Sequence, residues 1–162
     1  MKKILMIFIM IFSINNLNAA AFGEKAPNFI TTTIDGNQIS LEQYKGKKAV
    51  WLVFWATWCP YCENEIPNLK NLYKTHSDKV EIIAVNVAVR DSVEKTKQYI
   101  KEHDLPYTVV YDGKIAQEYK VRGIPLQIVI DKNGIVVDKR SKVPSEITKK
   151  ELDLLLKGES KL

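Results

Sequence analysis

Cysteine is nearly absent from this 162-residue chain: there are two, and none among the first 58 residues. That absence excludes a lipid-anchored cysteine behind an export leader. Histidine is as scarce, at two residues. No apolar run reaches the roughly 20 residues needed to span hydrocarbon. The longest, Ile4 to Phe12, gives way to Ser13-Ile14-Asn15-Asn16. Repeats, low-complexity tracts and long linkers are missing, so one domain is expected. Basic residues do not gather with aromatics; lysines are scattered among glutamates, which argues against a nucleic-acid partner.

What is present begins with Lys2 and Lys3 ahead of the apolar run, with Ala19-Ala20-Ala21 behind it. This layout predicts a cleavable signal peptide over residues 1–21, and cuts after Ala19 and after Ala21 both suit it. The expected product is a soluble, exported domain of residues 22–162, in a periplasm or at the extracytoplasmic face. Its 141 residues (162 less 21) are a normal size for one core. The formal charge of +5 falls to +3, 22 basic against 19 acidic side chains, once Lys2 and Lys3 leave.

The remaining sequence alternates strand and helix patterns. Residues Asn28 to Ile34 predict a strand, Asp35-Gly36-Asn37 a hairpin turn, and Gln38-Ile39 its return. Ser40 is placed to cap a short helical turn through Tyr44, ended by Gly46. Ala49 to Trp55 is continuously apolar, as a central strand covered on both faces requires. A helix is expected from Pro60 to about His76, kinked by Pro67. Val80 to Val89 predicts a second buried strand, Asp91 or Ser92 caps a helix to about His103, and Tyr107 to Tyr111 is a further strand. A short helix follows over Lys114 to Lys120. Leu126 to Asp131 and Ile135 to Lys139 form a hairpin about Asn133-Gly134. Ser145 caps a last helix carrying Ile147, Leu152, Leu155 and Leu156. This order predicts an α/β sandwich with a mixed sheet.

The two cysteines lie three residues apart, in Trp58-Cys59-Pro60-Tyr61-Cys62. Chance gives that spacing in roughly one chain in eighty. An oxidising compartment turns cysteines into disulfides, but a bridge across three residues constrains the unfolded chain little. Chemistry explains the pair better than stability. Cys59 falls where a buried strand ends and a helix begins, so free N–H groups and the helix dipole favour a thiolate there. Pro60 suits the first helical position. Cys62 sits one turn in, within reach of the first sulfur. Cys59 is thus the expected nucleophile and Cys62 the resolving thiol. A zinc half-site and an inert buried pair are the competing readings. Zinc wants four ligands and only His76 and His103 remain to supply them; haem attachment needs His where Glu63 stands. No metal and no cofactor are expected.

These motifs, with Glu65-Ile66-Pro67, Gly123-Ile124-Pro125, the opening Ala26-Pro27-Asn28-Phe29 and the Asp35-Gly36 turn, resemble the TlpA/ResA branch of the thioredoxin superfamily. The resemblance runs from about Ala26 to Leu156. It implies a thioredoxin fold: a mixed central sheet with helices on both faces, an extra N-terminal hairpin, and a central insertion near residues 88–107. It implies an extracytoplasmic thiol-disulfide oxidoreductase, in a branch whose members often serve cytochrome c maturation. Expected partners are exported thiol or disulfide proteins such as apocytochrome c, and a membrane thiol electron donor of the DsbD/CcdA type.

The resemblance also assigns residues. Pro125 is expected to be cis, with the Ile124 backbone docking substrate, and Trp58, Pro60 and Tyr61 complete the substrate-binding surface. Glu65 is implied to assist proton transfer at the buried thiol; the alternative is an exposed glutamate near a helix N-terminus. Thioredoxins bury an aspartate where this chain has Val53. Two departures stand out: Leu126 replaces the usual threonine, and the Pro60-Tyr61 dipeptide matches glutaredoxins. Trp51 and Trp55 are expected in the core and Trp58 over the site. The direction of electron flow stays open between a reductase and an oxidant or isomerase, and a redox-inactive binding module is the reading from another class.

Overall fold

A computed structural model describes residues 20–146 and 149–157. Nearly all of the predicted signal peptide, residues 1–19, lies outside the described residues. Strands β1 (Ile30–Thr32) and β2 (Gln38–Ser40) form the N-terminal hairpin. Gly36 turns it at φ +89, a conformation open to glycine at little cost. Ser40 does cap the following 3-10 turn: the Gln43 N–H donates to its Oγ at 3.3 Å, and its own N–H donates to Gln43 Oε1 at 3.0 Å. This is a reciprocal capping box.

The main sheet holds β3 (Ala49–Trp55), β4 (Val80–Asn86), β5 (Thr108–Tyr111), β6 (Leu126–Ile130) and β7 (Val136–Arg140), in the order β5-β4-β3-β6-β7. β3, β4 and β5 run parallel; β6 runs antiparallel to both of its neighbours, β3 and β7. The sheet is mixed, as the pattern predicts. All seven residues of β3 are buried, so both faces of the sheet are covered where it passes. The hairpin shields the β5 edge: Thr33 bridges Val110, and the Ile34 N–H donates to the Val109 carbonyl at 2.9 Å.

Helices α1 (Pro60–Glu63), α2 (Ile66–His76), α3 (Val93–Glu102), α4 (Gly113–Glu118) and α5 (Lys149–Lys157) complete the fold. The single helix expected over 60–76 is broken at Asn64-Glu65. Pro67 cannot donate to the Glu63 carbonyl and its ring crowds that oxygen, so the break precedes the proline. β4 ends at Asn86, three residues earlier than expected, because Ala88 and Arg90 adopt φ +56 and +52. Ser92 caps α3, accepting from the Lys95 N–H at 3.2 Å, and Asp112 caps α4. The cap expected at Ser145 bears on residues 147 and 148, which lie outside the described residues, as does Ile147 of the expected helix. The chain there is held against the start of α2, where Glu65 and Asn68 bind the backbone of Val143, and Glu146 is still non-helical. Among the described residues no helix is long and apolar enough to cross a membrane.

Candidate active site

β3 delivers the chain to a three-residue loop, Ala56 to Trp58, and α1 starts behind it. Cys59 is the N-cap of α1, with extended φ and ψ of −99° and 99°, and Pro60 takes the first helical position. Cys59 and Cys62 are disulfide-bonded, their Cα atoms 5.2 Å apart. The Cys62 N–H donates to Cys59 Sγ at 3.2 Å. A donor aimed at that sulfur from the positive end of a helix is the arrangement that stabilises a thiolate. The two cysteines are only 5% and 6% exposed, whereas Tyr61 and Trp58 beside them are 73% and 43% exposed.

The Ile124–Pro125 peptide is cis, as the resemblance implied. Register explains its place: Leu126 pairs with Phe54 on β3, so Pro125 and Ile124 stand level with the end of β3 and the loop that leads to Cys59. Ile124 and Trp58 line one groove. The Trp58 indole N–H donates to the Val89 carbonyl at 2.8 Å, and the Arg90 guanidinium carbon lies over its ring, 4.8 Å from the centroid. Trp51 and Trp55 are core residues, as expected.

Glu65 is buried, 8% exposed, and accepts a hydrogen bond from the Val143 N–H. The exposed alternative is therefore not the one this fold adopts. Val53 is buried and apolar in the place of the thioredoxin aspartate. It lines a cavity of about 20 Å³ behind Cys62, with Trp55, Tyr99 and Tyr107. Tyr99 packs between Trp55 at 5.1 Å and His103 at 3.9 Å. Burial, and next the Glu63 carboxylate, push its hydroxyl up to about 12. His103 Nε2 lies 3.5 Å from Glu63, tying α3 to α1.

The AhpC/TSA family model matches residues 22–139. The chain belongs to the AhpC/TSA family. Within it, the thiol-disulfide oxidoreductase ResA of Bacillus thuringiensis subsp. konkukian is 39% identical over 138 residues, covering 83% of this chain and 76% of its own. The thioredoxin-like protein YneN of Bacillus subtilis is 35% identical over 133 residues, with 81% and 76% covered. Among solved structures, a thioredoxin-family thiol:disulfide interchange protein of Chlorobium tepidum TLS superposes with a TM-score of 0.65 at 30% identity, over 85% of this chain and 96% of that one. This AhpC/TSA member is a ResA-like thiol-disulfide oxidoreductase with a thioredoxin fold, and Cys59–Cys62 is its redox disulfide.

One element of the site was not read from the sequence. Asp91, expected only as a helix cap, clamps the redox loop. Its carboxylate accepts from the Thr57 N–H at 2.8 Å, the Thr57 hydroxyl at 2.9 Å, the Asn86 amide at 2.8 Å and the Ser92 N–H at 3.0 Å. Burial pushes this acid up, but the hydrogen bonds from Asn86, Thr57 and Ser92 outweigh it and hold it below its ordinary value. Asn86 is fully buried and also donates to Thr96. The sequence signal available is Asn86, a polar residue inside the apolar run that extends to Val89. Among the described residues no cluster of His, Cys, Asp and Glu is grouped to hold a metal.

Proposed function

We propose that this protein is an extracytoplasmic protein-disulfide reductase acting on exported thiol proteins, with apocytochrome c as the candidate substrate. The observation that carries the proposal is Cys59 at the helix N-cap with a backbone N–H on its sulfur. An aliphatic residue, Ile124, precedes Pro125 as in reducing thioredoxins, which supports that direction. In the reduced form the Cys59 thiolate attacks a substrate disulfide. A mixed disulfide forms and one substrate sulfur leaves as a thiolate that takes a proton. Cys62 loses its proton, attacks Cys59 Sγ and releases the second substrate sulfur. Two electrons and two protons pass to the substrate, and the Cys59–Cys62 bond remains. Glu65 is the proposed proton carrier for the buried thiol, and Trp58, Pro60, Tyr61, Ile124 and Pro125 the proposed substrate surface. A membrane thiol donor of the DsbD/CcdA type restores the dithiol.

Export rests on the residue 1–21 leader. The domain proposed is then the chain beyond the leader, read as 22–162. The test is a redox titration with a trapping assay. A potential well below about −120 mV is expected, and one near or above it assigns an oxidant instead. Cys62→Ala should accumulate mixed disulfides through Cys59. Trapping by Cys59→Ala instead would reverse the two roles, and equal insulin reduction by wild type and Cys59→Ser would indicate a binding module.

A further inference from the structure

The surface beside the disulfide is apolar, with positive charge at its rim. A groove of about 260 Å³ is lined by Trp58, Val87, Val89, Val121, Arg122 and Ile124, among others, and no carboxylate lines it. Val89 is 53% exposed, so an apolar side chain is left open to solvent next to the redox pair. Arg122 is exposed at the groove, and Arg90 is exposed and lies over the Trp58 ring. Neither arginine has a carboxylate partner among the described residues. The carboxylate next to Arg90 in sequence, Asp91, already accepts four hydrogen bonds from the redox loop and its surroundings.

We propose that this groove selects disulfides carried on extended protein segments that pair an aliphatic or aromatic residue with an adjacent aspartate or glutamate. The proposal rests on the reading of the site as an exchange centre for protein substrates, and it names their class. The apolar side chain leaves water in the groove, and the carboxylate meets the guanidinium of Arg122 in the groove wall or of Arg90 over Trp58. Contact with the Trp58 ring holds Arg90 beside the groove, and a guanidinium fork matches a carboxylate in two parallel bonds. Lysine at the same place is repelled. The chemistry of exchange is unchanged; only the choice of partner is set here.

The test uses the full mature protein, reduced, and two synthetic peptides with one internal disulfide. The peptides differ only in Glu-Leu against Lys-Leu beside the cysteine. The ratio of their kcat/KM values is internal to each protein, so a general loss of activity in a variant cancels. The wild-type ratio is expected to favour the acidic peptide by about fivefold at low ionic strength and to shrink at high salt. In the double variant Arg90→Gln, Arg122→Gln the ratio should fall towards one. Equal turnover of both peptides by the wild type, or an unchanged ratio in the double variant, overturns the inference and leaves the reductase reading standing. Turnover of neither peptide overturns both.

Discussion

Replacing Asp91 by alanine removes the acceptor that joins the loop before Cys59 to the end of β4. Four donors lose their partner: the Thr57 N–H and hydroxyl, the Asn86 amide and the Ser92 N–H. Hydrogen bonds to a charged group contribute about 1.5–3 kcal/mol each when no replacement is at hand. Asp91 is only partly buried, so water takes over some of them. Asn86 is fully buried but keeps Thr96 as a partner at 3.0 Å. The net loss should be about 2–4 kcal/mol, well below the sum of four. Urea unfolding of wild type and variant measures it, with m unchanged. The pH dependence supplies a second arm. The folded carboxyl lies below its ordinary value of 3.8, so its contribution is present above that value and is lost as pH falls through the folded one. The gap between wild type and Asp91→Asn should therefore hold at neutral pH and close in acid. A loss below about 0.5 kcal/mol, within the usual range for surface changes, would refute the clamp. So would a gap that does not change with pH.

Other expectations are simpler. Glu65→Gln keeps an acceptor for the Val143 N–H but not a carboxylate, so the fold should survive while release of trapped substrate by Cys62 slows about tenfold or more and its pH profile moves. Stopped-flow thiol kinetics across pH measure this, and an unchanged profile reduces Glu65 to a structural tie. Gly134→Ala should cost about 1 kcal/mol in thermal unfolding, since Gly134 sits at φ +81 and an added Cβ meets nothing within 4 Å. No loss would mean that the turn relaxes.

The central strands were legible because β3 is apolar at every position, and only a strand covered on both faces tolerates that. The redox pair was legible because Pro60 marks a helix start and places both sulfurs at its first turn. What escaped depended on partners far along the chain. Glu65 meets Val143 across 78 positions, and Thr57 meets Asp91 across 34. No local pattern encodes either contact, so Asp91 read as a cap and Glu65 stood between two environments. The early end of β4 turned on left-handed Ala88 and Arg90, residues whose types give no warning of it. The cis bond before Pro125 came from resemblance alone, since X-Pro sequences seldom declare their isomer.

The account stands on Cys59 being the ionised, attacking sulfur. Alkylation of the reduced protein with iodoacetamide across pH, mapped by mass spectrometry, addresses that directly. Modification should appear first at Cys59, with a midpoint below the ordinary cysteine value of about 8.5. First modification at Cys62, or a Cys59 midpoint at or above that value, would contradict it.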